Sequence, residues 1–151
     1  MSKIDCSITV SLTSQSLRVT ADDTLLFQAP VSTAAKGPRE EEGTYCTPTS
    51  NIVDSDRSGD RAPLHTIFRG RRPCGIWGGE ECHDGILTRI LWLHGLDPEN
   101  ANTYQRYLYF HGTNAEQQIG TPASQGCIRL RNRDMLQLFD LAPIGTRVHI
   151  S

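Results

Sequence analysis

Tyr107-Leu108-Tyr109-Phe110, then His111-Gly112-Thr113, then a polar loop, then Ser124-Gln125-Gly126-Cys127-Ile128-Arg129-Leu130: the rest of the chain is organised around this stretch. A run of aromatic and aliphatic residues is a good buried strand, and it hands over to a histidine followed at once by glycine. Cys127 then sits behind Gly126 and ahead of the alternating Ile128-Arg129-Leu130. A histidine ending a strand and a cysteine leaving a loop make a nucleophile and base pair. The loop between them is short, so closing it carries only a modest entropic cost.

The residue types suit acyl transfer. An unperturbed thiol is mostly protonated at neutral pH, and an adjacent imidazole raises its thiolate fraction. The same imidazole can return the proton to a leaving amine. Gly126 removes bulk beside the sulfur and permits backbone angles that aim amide N–H groups at an oxyanion. A buried structural cysteine and a core histidine are the bland alternative. Glycine flanks and a polar linking loop favour catalysis over it.

The same residues resemble the signature of the YkuD-type L,D-transpeptidase family, a His-Gly, a loop, then Ser-x-Gly-Cys-x-Arg or Ser-x-Gly-Cys-x-Asn. Ser124, Gly126, Cys127 and Arg129 match it, with His111 at the expected distance. Ile119-Gly120-Thr121-Pro122-Ala123 is similar to the family's lead-in, Val31-Ser32-Thr33 to an early segment, and Thr47-Pro48-Thr49 to a turn before a strand. Two departures stand out. Gln125 occupies a position that is usually histidine, which removes any acid–base role there, and Ser50 stands where glycine is usual.

Composition sets bounds. The chain has 151 residues and a formal net charge of −2, one domain over 1–151 with room for a core. No basic excess supports nucleic-acid binding, and Arg69-Gly70-Arg71-Arg72 reads as a solvated turn. Cys6, Cys46, Cys74, Cys82 and Cys127 are odd in number and irregular in spacing, unlike a disulfide framework or a structural zinc site. Cys74, Cys82 and His83 are the weak metal alternative. The amino terminus has no apolar signal core and no stretch approaches a membrane span. A cytoplasmic location is expected, or a periplasmic one if an export signal has been removed.

Along the chain, Cys6, Ile8, Val10 and Leu12 alternate with polar residues as a half-buried strand. Ser14-Gln15 turns, Leu17-Arg18-Val19 returns, and Asp22-Asp23 turns again into Leu25-Leu26-Phe27. This is a strand meander. Residues 34–63 are rich in glycine, proline and charge, with 54–63 expected as a surface loop. Leu64 to Arg69 and Gly85 to Leu93 read as further strands. Trp77, in a glycine-rich segment, is a lid over substrate or a peg in the core. His94 imitates His111 without a matching cysteine and reads as structural. Asn132 is expected to cap a helix through Leu141 that buries Met135, Leu138 and Phe139, with Asp134 in its first turn favouring the helix dipole. Thr146 to Ile150 closes the chain as a strand, with His149 outward.

The resemblance implies a mainly β, sandwich-like catalytic domain with a few short helices. It implies that Cys127 attacks the diaminoacid carbonyl of a peptidoglycan stem peptide and expels D-alanine. His111 serves as base and acid, the Gly112 carbonyl orients its ring, and amides near Gly126 and Cys127 hold the oxyanion. Arg129 is either a buried brace or a binder of the substrate carboxylate. Arg106 is a second carboxylate candidate, and Ser124 pins the loop at the substrate side. No metal or organic cofactor is required, and carbapenem-type inhibitors are expected to react. Water as acceptor makes the chain an L,D-carboxypeptidase of muropeptide recycling; an amine makes it a crosslinking L,D-transpeptidase. An inactive binding module and a metalloprotein are the readings from other classes.

Overall fold

The period-two pattern at the amino terminus forms β1 (Cys6–Ser11), with Ile8 and Val10 buried and Ser7 and Thr9 exposed. The computed structural model describes residues 6–37, 50–56, 86–95, 98, 108–124, 126–143 and 145–151. Trp77, Arg106, Gln125, Cys46, Cys74, Cys82, His83 and the expected strand at 64–69 lie outside those residues.

β2 (Ser16–Ala21) runs back along β1, and β3 (Thr24–Pro30) runs back along β2. The two-residue turn between them holds Asp22 and Asp23 at φ 47° and 63°, the paired left-handed conformation that matches the twist of a hairpin. A bulge makes Val19 face Phe27 while Thr20 faces Leu25, leaving Leu26 over. Strict alternation is lost there, and both Leu25 and Leu26 are exposed on the outermost strand.

The remaining strands are β4 (Ser50–Asp56), β5 (Ile86–Gly95), β6 (Tyr109–Thr113), β7 (Ile128–Leu130) and β8 (Arg147–Ile150). Eight strands form one hydrogen-bonded order, β3-β2-β1-β8-β4-β5-β6-β7. Its two ends meet. Ser32, just past β3, exchanges backbone hydrogen bonds with Arg129 of β7, each 2.9 Å. The mainly β expectation is met, as a sheet curled over its own core.

The expected loop at 54–63 is corrected at its start, because Asp54 and Asp56 pair with Leu93 and Trp92. β4 lies between β8 and β5. β8 pairs with Ser50–Val53 and β5 continues the ladder to Asp56, and such pairing satisfies backbone groups whatever the side-chain polarity.

The only α-helix among the described residues, α1 (Asn132–Leu141), buries Met135, Leu138 and Phe139 against this core, as the spacing predicts. Its cap differs from expectation. Arg131 is the N-cap residue and makes no side-chain capping bond. Asn132 lies inside the first turn, and its backbone N–H donates to Glu116 Oε1 at 2.8 Å. Glu116 belongs to the short 3-10 helix Glu116–Gln118. A carboxylate from another element therefore satisfies the helix N-terminus, where negative charge is favoured. Glu116→Ala is expected to lower stability by about 0.5–2 kcal/mol, as loss of a capping side chain does; denaturant unfolding measures it.

Asp134 behaves unlike a simple dipole partner. Burial raises its carboxyl above the ordinary value of 3.8 and Glu116 adds to the rise, while Arg131 and Arg133 oppose it. A raised folded-state value means the native chain holds the proton more tightly than the unfolded chain. Stability is then lost as pH climbs from about 3.8 through the folded-state value. Asp134→Asn is expected to raise the thermal midpoint at pH 7. Melts at descending pH should show that gain vanishing below the unperturbed value.

Candidate active site

β6 and β7 lie side by side and parallel, with Phe110 opposite Ile128, His111 opposite Arg129 and Gly112 opposite Leu130. Side chains alternate along a strand, and registered neighbours share a face. Phe110, Ile128 and Leu130 enter the main core. His111, Arg129, Tyr109 and the preceding Cys127 therefore project from the other side of the sheet. A second, smaller cluster forms there from Ile90, Leu108, Tyr109 and Cys127, with Trp92 packed against it. Trp92 meets Tyr109 edge to face, ring centres 5.4 Å apart.

His111 and Cys127 are thus on one face of adjacent strands, offset by two residues. Strand spacing and rise put their Cα atoms roughly 8 Å apart, within reach of two side chains leaning together. His111 is fully buried, and Cys127 is 9% exposed, the most accessible of the four buried residues in its cluster.

One hydrogen bond settles the imidazole's orientation. His111 Nδ1 lies 2.6 Å from the Gly112 carbonyl oxygen. A carbonyl can only accept, so Nδ1 carries the hydrogen, and in the neutral ring Nε2 holds the lone pair. That is the tautomer a base needs.

The loop that carries Cys127 is pinned from within and from outside. Ser124 Oγ donates to the Cys127 carbonyl at 2.6 Å and accepts from the Gly126 N–H at 3.2 Å. This tightens the turn around Gly126, whose φ of 120° suits only glycine. The Gly126 amide, one of those expected near an oxyanion, is here directed at Ser124. From outside, the Thr33 carbonyl accepts from the Ala123 and Ser124 N–H groups at 2.9 and 2.8 Å. Thr33 is held in turn by buried Gln15: the Thr33 N–H donates to Gln15 Oε1 at 2.9 Å, and Gln15 Nε2 donates to Thr33 Oγ1 at 2.7 Å. In the sequence Ser14-Gln15 reads only as a turn. A left-handed φ of 49° at Gln15 fits that turn, but nothing local announces its bonds to Thr33.

Arg129 is 1% exposed. Its Nη2 donates to Gln118 Oε1 at 2.9 Å and to Ser32 Oγ at 3.3 Å. Ser32 Oγ also donates to the Thr121 carbonyl at 2.6 Å. Of the two roles expected for Arg129, these bonds favour the brace between the lead-in loop and the chain leaving β3. The substrate-side candidates Trp77 and Arg106 fall outside the described residues.

Opposite His111, β5 is irregular. Leu87 pairs with Gly112 and Ile90 with His111, so Thr88 and Arg89 are two extra residues facing the His111–Gly112 peptide. Thr88 is fully buried at φ 76°, a left-handed conformation that costs a β-branched residue about 1–3 kcal/mol. Its Oγ1 donates to Asn132 Oδ1 at 2.6 Å. Asn132 Nδ2 donates to the Thr113 carbonyl at 2.8 Å and to Glu116 Oε1 at 2.9 Å. Asn132, expected as a cap, is instead the hub joining β5, β6 and α1. In the sequence Thr88 reads only as part of the strand from Gly85 to Leu93, and no local pattern marks either Thr88 or Glu116 for these bonds.

Among the described residues, no three histidine, cysteine, aspartate or glutamate side chains gather where a metal would bind. None of the described helices is long and apolar enough to cross a membrane.

The model of the YkuD family, the L,D-transpeptidase catalytic domain, matches residues 6–150. Over 120 residues the chain is 54% identical to "Probable L,D-transpeptidase YbiS" of Escherichia coli, covering 79% of this chain and 32% of that protein. An L,D-transpeptidase from Xylanimonas cellulosilytica shares the fold with a TM-score of 0.64 at 20% identity, covering 99% of this chain and 62% of that one. L,D-transpeptidase 3 from Mycobacterium tuberculosis, solved with a faropenem-derived adduct, gives 0.64 at 16% identity, covering 97% and 60%. The chain spans about a third of the length of the E. coli relative. With the match running through both the His111 strand and the Cys127 loop, the chain belongs to the YkuD family of L,D-transpeptidase catalytic domains.

Proposed function

We propose that the chain is a cysteine-dependent L,D-carboxypeptidase that removes D-alanine from peptidoglycan tetrapeptides, in muropeptide recycling. The observation that carries this is the placement of His111 and Cys127 on one sheet face, with Nδ1 committed to the Gly112 carbonyl. Cys127 Sγ attacks the diaminoacid carbonyl carbon while its proton passes to His111 Nε2. Backbone N–H groups of the nucleophile loop hold the oxyanion. Collapse breaks the C–N bond, His111 protonates the departing D-alanine amine, and a thioester remains. Water, deprotonated by His111, then attacks the thioester and releases the tripeptide carboxylate and the thiol.

An amine from a second stem peptide would instead make a crosslink, the alternative that the names of the relatives favour. The low exposure of Cys127 favours the smaller acceptor. In recycling, the soluble muropeptide would be met in the cytoplasm; crosslinking would need the polymeric wall outside it. The test is incubation of purified protein with a disaccharide tetrapeptide, followed by mass measurement. Tripeptide and free D-alanine are the expected products; dimers or exchanged D-amino acids would replace hydrolysis by transpeptidation. Carbapenem-type β-lactams, as acyl donors, should leave an adduct on Cys127.

A further inference from the structure

We propose that Thr88 is a positioning residue for the His111 imidazole, acting through the two-residue bulge that it locks. This rests on the reading of His111 as the base. The bulge is inserted between the partners of His111 and Gly112, so it faces the His111–Gly112 peptide, immediately before the Gly112 carbonyl that receives the Nδ1 hydrogen. An interruption of the ladder at this point loosens the constraint that regular pairing puts on that peptide, and bulges re-aim nearby groups.

Both inserted residues lean on α1. Thr88 Oγ1 donates to Asn132 Oδ1, and the Arg89 guanidinium lies 5.6 Å from the centre of the Phe139 ring while its Nη1 donates to the Thr88 carbonyl. Asn132 completes the circuit by donating to the Thr113 carbonyl, one residue past Gly112. The carbonyl that orients the imidazole is therefore flanked by a bulge on one strand and a clamped peptide on its own, and one side-chain amide holds both. Left-handed backbone at a β-branched residue persists only where its surroundings over-determine it. Here the hydroxyl bond to Asn132 is what the left-handed turn delivers.

Three variants separate positioning from mere stability. Thr88→Val keeps the shape and removes the donor. Thr88→Gly also removes the donor but suits the backbone angle, so relief of strain offsets part of the lost bond and packing, and a thermal melt checks that it folds. Thr88→Ser keeps the hydroxyl. Long-range proton–nitrogen spectra of the His111 ring report the tautomer, and peptide mapping of iodoacetamide-treated protein reports the alkylation rate of Cys127. Val and Gly variants are expected to show mixed ring tautomers and alkylation about tenfold slower, in the range that small misplacements cost; Ser should stay close to wild type in both. A Gly variant with wild-type ring spectrum and alkylation rate overturns the proposal, as does a Ser variant that fails with the others. If wild-type Cys127 reacts no faster than an ordinary thiol, the acyl-transfer reading falls instead, and the ring spectra still decide the role of Thr88.

Discussion

Cys127→Ala is expected to abolish turnover of the tetrapeptide, by at least about 10³-fold, as removal of a covalent nucleophile does. The thermal midpoint should change little. Cys127 sits at the rim of its small apolar cluster with 9% exposure, and alanine loses one sulfur from a site that borders solvent. Mass spectrometry after exposure to a carbapenem gives the independent readout. Wild-type protein should gain one acyl adduct, and the Ala variant none. An adduct that survives on the variant would move the nucleophile elsewhere and end the proposed mechanism. Cys127→Ser is the finer probe, because a hydroxyl keeps the geometry but is a far weaker nucleophile without a strong base.

His111→Gln is expected to lower kcat by about 10²- to 10⁴-fold, the usual contribution of a general acid–base residue. Glutamine can still donate from its amide toward the Gly112 carbonyl but cannot take up a proton. The loss should appear in acylation, and Cys127 alkylation should rise only as pH climbs through the ordinary thiol range. Since His111 is wholly enclosed, its exchange also leaves a differently shaped polar group in the sheet, so unfolding must be measured alongside. Equal alkylation profiles for wild type and variant, with the fold intact, would show that no proton passes between the two side chains.

What sequence could and could not reveal follows the range of the signals. Alternation from Cys6 to Leu12, the Asp22-Asp23 turn and the stripe of Met135, Leu138 and Phe139 are local. Each sets which side of an element faces the core, and each is found where it was expected. The polarity of 54–56 resembles a loop, whereas its pairing depends on β5, which is distant in the chain. Asn132 was assigned to capping on the strength of its neighbours. The actual capping oxygen comes from Glu116, whose role no local pattern marks.

The signature from His111 to Arg129 named the candidate nucleophile and base without coordinates, since chemistry demands those residue types beside glycine. Only the fold decided that they share a sheet face, that Arg129 donates to Ser32 and Gln118, that Gln15 bonds Thr33 and that Thr88 bonds Asn132. The physical reason is that periodicity records a residue's exposure to water, a one-body property. Hydrogen bonds such as those from Thr88 to Asn132 or between Gln15 and Thr33 depend on where two chain segments meet, and closure of the sheet alone brings those partners together.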